Sequence, residues 1–150
     1  MRAPSSISRL ASLLLLSMCG CTLDDLMSGA GANFSSVSVT LVQEDKSGVA
    51  GTGLGFFNHG DAQVALTFVL TGVAVGQQYT GHVHRGTCSQ IGPVVATLPV
   101  TTGVAQQGGA PTAETTHAVA VNYATTGHLV DFHTTTSGVD RRVSCGAFVS

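Results

Sequence analysis

The chain is poor in charge, since Lys, Arg, Asp and Glu together make up 9% of its 150 residues. Threonine, serine, glutamine and glycine must therefore cover much of the surface. The few basic residues form no stripe, which argues against nucleic-acid binding. After the N-terminal segment, no apolar run is long enough to cross a bilayer as a helix. We therefore expect neither a nucleic-acid-binding protein nor a protein with several membrane-spanning helices.

The N-terminal segment has the features of an export signal. A basic start precedes an apolar run over residues 10–18, which is too short to span a bilayer. Gly20 then precedes Cys21, and a small residue before a cysteine resembles the bacterial lipobox, whose cysteine carries the lipid. We predict a lipoprotein signal peptide over residues 1–20 and lipidation at Cys21. The alternative is an ordinary secretory signal that ends near the same place.

Residues 21–33 are predicted to be a tether between this anchor and one domain over residues 34–150, a length that can bury a real core. Thr22 stands where an aspartate is associated with retention at the inner membrane. The expected location is therefore the cell envelope, with the lipid in the outer membrane and the domain on its periplasmic or surface side.

Export also suggests how the cysteines are used. Cys19 and Cys21 belong to the signal region, and Cys88 and Cys145 remain as a pair. In an oxidising compartment a disulfide is the default state of such a pair. Two buried free thiols, or two thiolates that bind a metal, are the alternatives.

The pattern of the domain is that of β-structure. Val37, Val39 and Leu41 alternate with residues of the other face, which is typical of a half-buried strand, and residues 58–61 (Asn-His-Gly-Asp) have the composition of a hairpin turn. About eight short strands separated by such turns predict an antiparallel sandwich or barrel. No helix of ten or more residues is expected.

The second half of the domain is predicted in more detail because it carries most of the candidate site residues. The paired histidines lie in a strand over residues 78–85. We expect a strand over Val94–Val100, a loop over Thr102–Thr115 that is rich in Gly, Gln, Pro and Thr, and a strand over Thr116–Tyr123.

His82 and His84 are the first candidate metal ligands. Residues two apart in a strand point to the same face, so the two imidazoles can act together, and His133 would complete a three-nitrogen site. Imidazoles suit copper or zinc, and copper has the higher intrinsic affinity. Three ligands leave a coordination position open, as a reactive metal requires. The alternative is a pair of solvent-exposed histidines without a ligand.

Two charged residues lie near these positions in the sequence. Asp131 shares a strand face with His133 and could orient a neighbouring histidine, but a solvated carboxylate is the simpler expectation. Arg142 lies three residues before Cys145 and would attract small anions to a metal, whereas Arg141 points to the opposite face. Three further histidines are expected to be surface residues: His59, His117 and His128.

Taken together, these motifs resemble the copper/zinc superoxide dismutase family over most of residues 35–150. The resemblance implies a Greek-key β-barrel, copper bound by His82, His84 and His133, and Arg142 as the catalytic residue that draws in superoxide. It also implies a Cys88–Cys145 disulfide. The matching segments are Gly81-His82-Val83-His84, Cys88 with Gly92-Pro93, residues 127–133, and Arg142-Val143-Ser144-Cys145-Gly146.

The chain also departs from the pattern of that family. Val94 stands where the family places a histidine that bridges copper and zinc, and residues 101–115 contain no histidine and only one acid, Glu114. The segment between His133 and Arg142 is shorter than the family's charged guiding loop. The resemblance is therefore to a bacterial lipoprotein member that lacks the zinc site, so copper is the expected metal and zinc is not.

Two functional hypotheses follow from the resemblance. The first is an enzyme that converts superoxide to oxygen and hydrogen peroxide, with superoxide or another small anion as its ligand. The second is a non-catalytic surface module that buffers or binds copper, because extracellular CHRD-type domains also carry a Gly-His-x-His strand. The membrane is an expected partner through the lipid, whereas the sequence carries no signal for an oligomeric state.

Overall fold

The computed structural model describes residues 34–136 and 138–150, and this part of the chain is built from antiparallel strands. The all-β prediction is therefore confirmed. The predicted signal peptide (residues 1–20), the tether (residues 21–33) and the lipidation at Cys21 lie outside the described residues. Within those residues, no helix has the length and hydropathy needed to span a membrane.

The described residues form ten strands where about eight were expected, because two very short strands lie at the start of the segment predicted to be a loop. The strands are β1 (Phe34–Gln43), β2 (Ala50–Asn58), β3 (Gln63–Thr71), β4 (Gln78–Thr87), β5 (Gln90–Thr97), β6 (Thr101–Thr102), β7 (Val104–Gln106), β8 (Gly109–Ala120), β9 (His128–Thr136) and β10 (Val139–Val149), with one 3-10 turn at Val121–Tyr123.

The strands form a single curled sheet, a half-barrel, in the order β5-β4-β9-β10-β1-β2-β3-β8-β7. β6 pairs with β4, while β7 pairs with β8, so the short segment that contains both strands connects two distant parts of the sheet. The Thr101 hydroxyl of β6 donates a hydrogen bond to the Glu114 carbonyl of β8 at 2.6 Å. These contacts hold the sheet in its curled form.

The predicted loop over Thr102–Thr115 is wrong, because it contains β7 and its second half belongs to β8. β8 begins at Gly109 and pairs with β3, where Leu70 lies opposite Ala113 and Phe68 lies opposite Thr115. Ala113 and Thr115 are buried and their neighbour Glu114 is exposed, so the alternation is present but is carried by small and polar residues. The neighbouring predictions are shifted too, because β5 is Gln90–Thr97 and β8 ends at Ala120.

The inner face of the curled sheet forms the core. Val37, Val39 and Leu41 are buried, as the alternation predicts. Phe68 of β3 meets Phe132 of β9 edge to face, with ring centroids 5.6 Å apart. The contact joins two strands that are not neighbours in the sheet, so the aromatic pair fills the space enclosed by the curl.

Gly81 lets β4 pack closely against this core. A Cβ atom at this position would lie 2.7 Å from the Phe132 ring and 2.8 Å from a Leu98 methyl group. We expect Gly81→Ala to lower the free energy of unfolding by about 1–3 kcal/mol, the usual range for overpacking a core. Urea denaturation measures this difference.

Gly109→Ala is the matched control. Its added Cβ would meet only a Gln106 atom at 3.7 Å, which is ordinary van der Waals contact. We expect the control to change the free energy of unfolding by no more than about 0.5 kcal/mol. Equal effects of the two substitutions would contradict the close packing at Gly81.

Candidate metal centre

The candidate ligands lie on the outer face of β4 and β9, which are neighbouring strands. His82 lies directly opposite Asp131 in the register. Val83 and Phe132 point into the core, so their sequence neighbours point outward. The strand register thus brings His82, His84, Asp131 and His133 to one face.

A β-bulge brings the third strand into register with this face. Arg142 of β10 lies opposite His133, and Cys145 lies opposite Asp131, with the register shifted between Arg142 and Ser144. Residues three apart in a regular strand point to opposite faces, but the extra residue at the bulge places both beside the histidine cluster. The buried Val143 side chain joins the core at the bulge.

Asp131 is the centre of the cluster, and the expectation that its carboxylate is solvated is wrong. Its side chain is only 1% exposed. Asp131 Oδ1 lies 3.3 Å from His84 Nε2 and 4.0 Å from His82 Nδ1, and Asp131 Oδ2 lies 3.1 Å from His133 Nε2. The three predicted histidines therefore do come together, but around a carboxylate.

The tautomer of His84 is set by its second ring nitrogen. Nδ1 lies 2.9 Å from the carbonyl oxygen of Gly92, and because a carbonyl can only accept, Nδ1 carries the proton. In the neutral imidazole, Nε2 then presents a lone pair towards Asp131 Oδ1. Both atoms are buried, and despite their 3.3 Å separation neither makes a hydrogen bond of acceptable geometry among the described residues. The contact is favourable only when a proton or a metal ion lies between these two atoms.

The other two imidazoles have different electrostatic surroundings. Burial lowers the pKa of His82, although the Asp131 carboxylate opposes this shift. The shift favours the neutral ring, whose one unprotonated nitrogen can bind a metal. The hydrogen bond with Asp131 raises the pKa of His133, and Asp140 acts in the same direction. His133 Nδ1 lies 3.2 Å from Asp140 Oδ2, so this ring lies between two carboxylates.

These contacts define the donor set. His82, His84 and Asp131 each offer a ligand atom, and these atoms all lie within 4.8 Å of one another, whereas His133 contacts the other carboxylate oxygen. Two imidazole nitrogens and one carboxylate oxygen suit the divalent first-row transition-metal ions, which include iron, copper and zinc. The residues therefore fit a transition-metal ion, and copper is one member of that group.

Arg142 lies beside the cluster but is held by a carboxylate. Its Nη2 atom lies 3.4 Å from Glu44 Oε2. The Glu44 backbone N–H donates to the Val143 carbonyl at 2.9 Å, which places Glu44 next to the bulge. Arg141 points elsewhere and donates a hydrogen bond to the Asp45 carbonyl.

The positions that the resemblance assigns to zinc carry no ligands in this chain. Val94 lies opposite His84 on β5 and is half exposed. Glu114, the one acid of the corresponding segment, is exposed on β8. Among the described residues, the other group of metal-ligating types is Glu44 with Cys88 and Cys145, whose sulfur atoms are bonded to each other.

The predicted disulfide is present. Cys88 and Cys145 are joined, with their Cα atoms 5.9 Å apart, and the bond ties the segment after β4 to β10. Because Cys145 lies opposite Asp131, the bond also fixes the backbone next to the cluster. The alternatives with free or metal-binding thiols do not apply to this disulfide-bonded form.

The remaining histidines lie outside the cluster. His59 is exposed at the turn after β2, as predicted, and its Nε2 lies 3.4 Å from the Ser35 hydroxyl. His117 and His128 are partly buried, and the His128 ring lies 5.7 Å from that of Tyr123. The sequence prediction therefore separated these three residues correctly from the cluster but underestimated the burial of two of them.

Sequence reasoning missed Asp140 and Glu44 as neighbours of the site, and it undervalued Asp131. The sequence did contain one indication that Asp131 belongs to the site, namely the strand face that it shares with His133 in a chain with few charges.

No known family model matches this chain, and no match was found among curated proteins.

Proposed function

We propose that the protein is an exported copper-binding domain. The ion would be held by His82, His84 and Asp131. The His133 ring would keep its hydrogen bond to the second oxygen of the Asp131 carboxylate. The observation that carries the proposal is the buried contact between His84 Nε2 and Asp131 Oδ1, which face each other at 3.3 Å without a hydrogen bond. Copper is preferred because it has the highest affinity of the divalent first-row ions for such a site.

The proposed family is that of the copper/zinc superoxide dismutases, as a Greek-key member without the zinc site. Support comes from the curled antiparallel sheet, from the histidine pair on its outer face and from the Cys88–Cys145 disulfide. Val94 beside His84 supports the loss of the zinc half, because valine offers no ligand atom where the bridging histidine would stand.

Between the two functional hypotheses, the environment of Arg142 favours the non-catalytic one, a CHRD-like or dismutase-like module for copper buffering. Copper supplies one-electron redox chemistry when it is bound. Attraction of superoxide would require a free guanidinium, but Glu44 lies 3.4 Å from Arg142 and offsets its charge. Dismutation is therefore the second candidate, and it would require Arg142 to separate from Glu44.

The proposed location is the cell envelope, with a lipid on Cys21 in the outer membrane and residues 21–33 as the tether. The disulfide supports export, because such bonds persist in oxidising compartments and are rare in the cytosol. The lipid itself is proposed from the sequence Gly20-Cys21.

Metal analysis of the purified full chain tests this proposal. After incubation with copper or zinc and removal of the excess, we expect the chain to retain copper, to retain less zinc, and not to accelerate superoxide decay. His59→Ala, which removes an exposed imidazole outside the cluster, should retain as much copper as the unaltered chain.

Two results would change the interpretation. A chain that retains no copper would overturn the proposed function. A copper-loaded chain that accelerates superoxide decay, and that loses the acceleration in Arg142→Ala while it still retains copper, would establish the dismutase alternative instead.

A further inference from the structure

An exposed apolar patch lies at one end of the outer face formed by β10, β1 and β2. Ser36 of β1 lies opposite Phe56 of β2, and Ser38 lies between Leu54 on one side and Val149 on the other. Residues directly opposite each other in a sheet share a face. The exposed fractions of the patch residues are 58% for Phe34, 47% for Leu54, 62% for Phe56 and 64% for Val149.

The outer face of the strands around the patch carries no charge. None of the outward-facing side chains in the described strands β1, β2 and β3 is ionisable. Ala65 of β3 continues the apolar row next to Phe56. The outward residues between and beside the patch are Ser36, Ser38, Thr40, Thr52, Ala65 and Thr67.

The patch lies where the chain enters the domain. Phe34 is both a patch residue and the first residue of β1. The thirteen peptide units from Cys21 to Phe34 span at most about 45 Å even when fully extended. A lipid on Cys21 would therefore keep this end of the sheet close to the bilayer and raise its local concentration there.

We propose that the patch Phe34, Leu54, Phe56 and Val149 rests on the bilayer that holds the lipid. The inference uses the anchoring part of the proposed function and is independent of the metal. Phenylalanine and leucine are suited to the boundary between headgroups and acyl chains, and stable anchoring commonly combines a lipid with a second contact. The Asp61 carboxylate accepts a hydrogen bond from the Asn58 N–H at 2.8 Å, and Asn58 lies opposite Phe34. Because this negative charge lies at the edge of the patch, neutral lipids fit this face better than anionic ones.

Tryptophan fluorescence tests the contact without interference, because the chain has no tryptophan of its own. The full-length lipidated chain with Phe56→Trp is placed in phosphatidylcholine vesicles with and without brominated acyl chains. We expect brominated lipid to remove at least about half of the emission, since such rings lie roughly 5–10 Å deep in the interface. No copper is added, so failure of the metal proposal would not affect the result.

Val104→Trp is the control, because Val104 is also half exposed but lies on β7 at the far edge of the sheet. Its emission should be the same in both kinds of vesicle. Disulfide formation and the thermal unfolding midpoint verify that both variants fold.

Three results would overturn the proposal. The first is equal quenching of the two variants, and the second is a chain that carries no lipid and stays in solution. The third is evidence of a dimer in the absence of vesicles. The Phe56→Trp emission would then be blue-shifted without lipid and return to longer wavelength on dilution, and the protein would sediment as a dimer. That last result would assign the patch to a second copy of the chain.

Discussion

Asp131→Asn will lower the affinity for copper by at least about 100-fold, more than is usual for loss of an outer contact to a metal ligand. The substitution keeps the size of the side chain and removes the anionic oxygen that lies 3.3 Å from His84 Nε2. A neutral amide oxygen is a poorer ligand for a transition-metal ion than a carboxylate oxygen. Isothermal titration with copper at constant pH measures the change.

Two other carboxylates provide graded controls for this prediction. Asp140 lies 3.2 Å from His133 Nδ1 and is not in the donor group, so Asp140→Asn should weaken binding by only about 10-fold, as an outer contact does. Glu114→Gln changes an exposed residue on β8 and should leave the affinity unchanged. If Asp131→Asn bound copper as tightly as Glu114→Gln does, Asp131 would not be a ligand and its burial would need another explanation.

Loss of the Cys88–Cys145 disulfide will lower the free energy of unfolding by about 4 kcal/mol, the value that the chain-entropy relation assigns to a loop of this length. The bond joins residues 57 apart in sequence and connects the segment after β4 to β10. This loss is a large part of the roughly 5–15 kcal/mol that stabilises a typical domain. Denaturant unfolding of the oxidised chain and of the double variant Cys88→Ala, Cys145→Ala measures it.

Reduction of the unaltered chain separates loop closure from packing. The reduced chain keeps both sulfur atoms, so it should lose as much stability as the double alanine variant if the entropy of the unfolded chain dominates. A much smaller loss on reduction would instead assign the effect to the packing of Cys145, which is only 2% exposed. No loss in either case would contradict the prediction.

Part of the geometry of the histidine cluster could be predicted from sequence periodicity. The spacing of His82 and His84 was enough to place both on one strand face, because side chains alternate with a period of two. That rule also placed Asp131 with His133, but it carried no information about burial. The carboxylate is buried because β4 and β10 flank β9, and strand neighbours that are distant in sequence cannot be inferred from periodicity.

The surroundings of Arg142 depended even more on the tertiary structure. Arg142 reaches the site because of the bulge between Arg142 and Ser144. Its partner Glu44 directly follows β1 and is therefore distant from Arg142 in sequence, although the two side chains are in contact. The loop prediction for residues 109–115 was wrong for a different reason. The buried positions of β8 in this segment are Ala113 and Thr115, and a small and a polar residue do not produce a recognisable hydrophobic alternation. Small and polar residues can form a strand when a partner strand supplies the hydrogen bonds.

The sequence by itself determined the all-β class, the common face of the two histidines and the cysteines available for a disulfide, because each follows from residue type or from local period. The tertiary structure alone decided that three imidazoles surround a buried carboxylate, that Glu44 pairs with Arg142 and that Phe34, Leu54, Phe56 and Val149 lie at one end of the same outer face. These features arise from strand order and register, which are set by the packing of the whole sheet around its core.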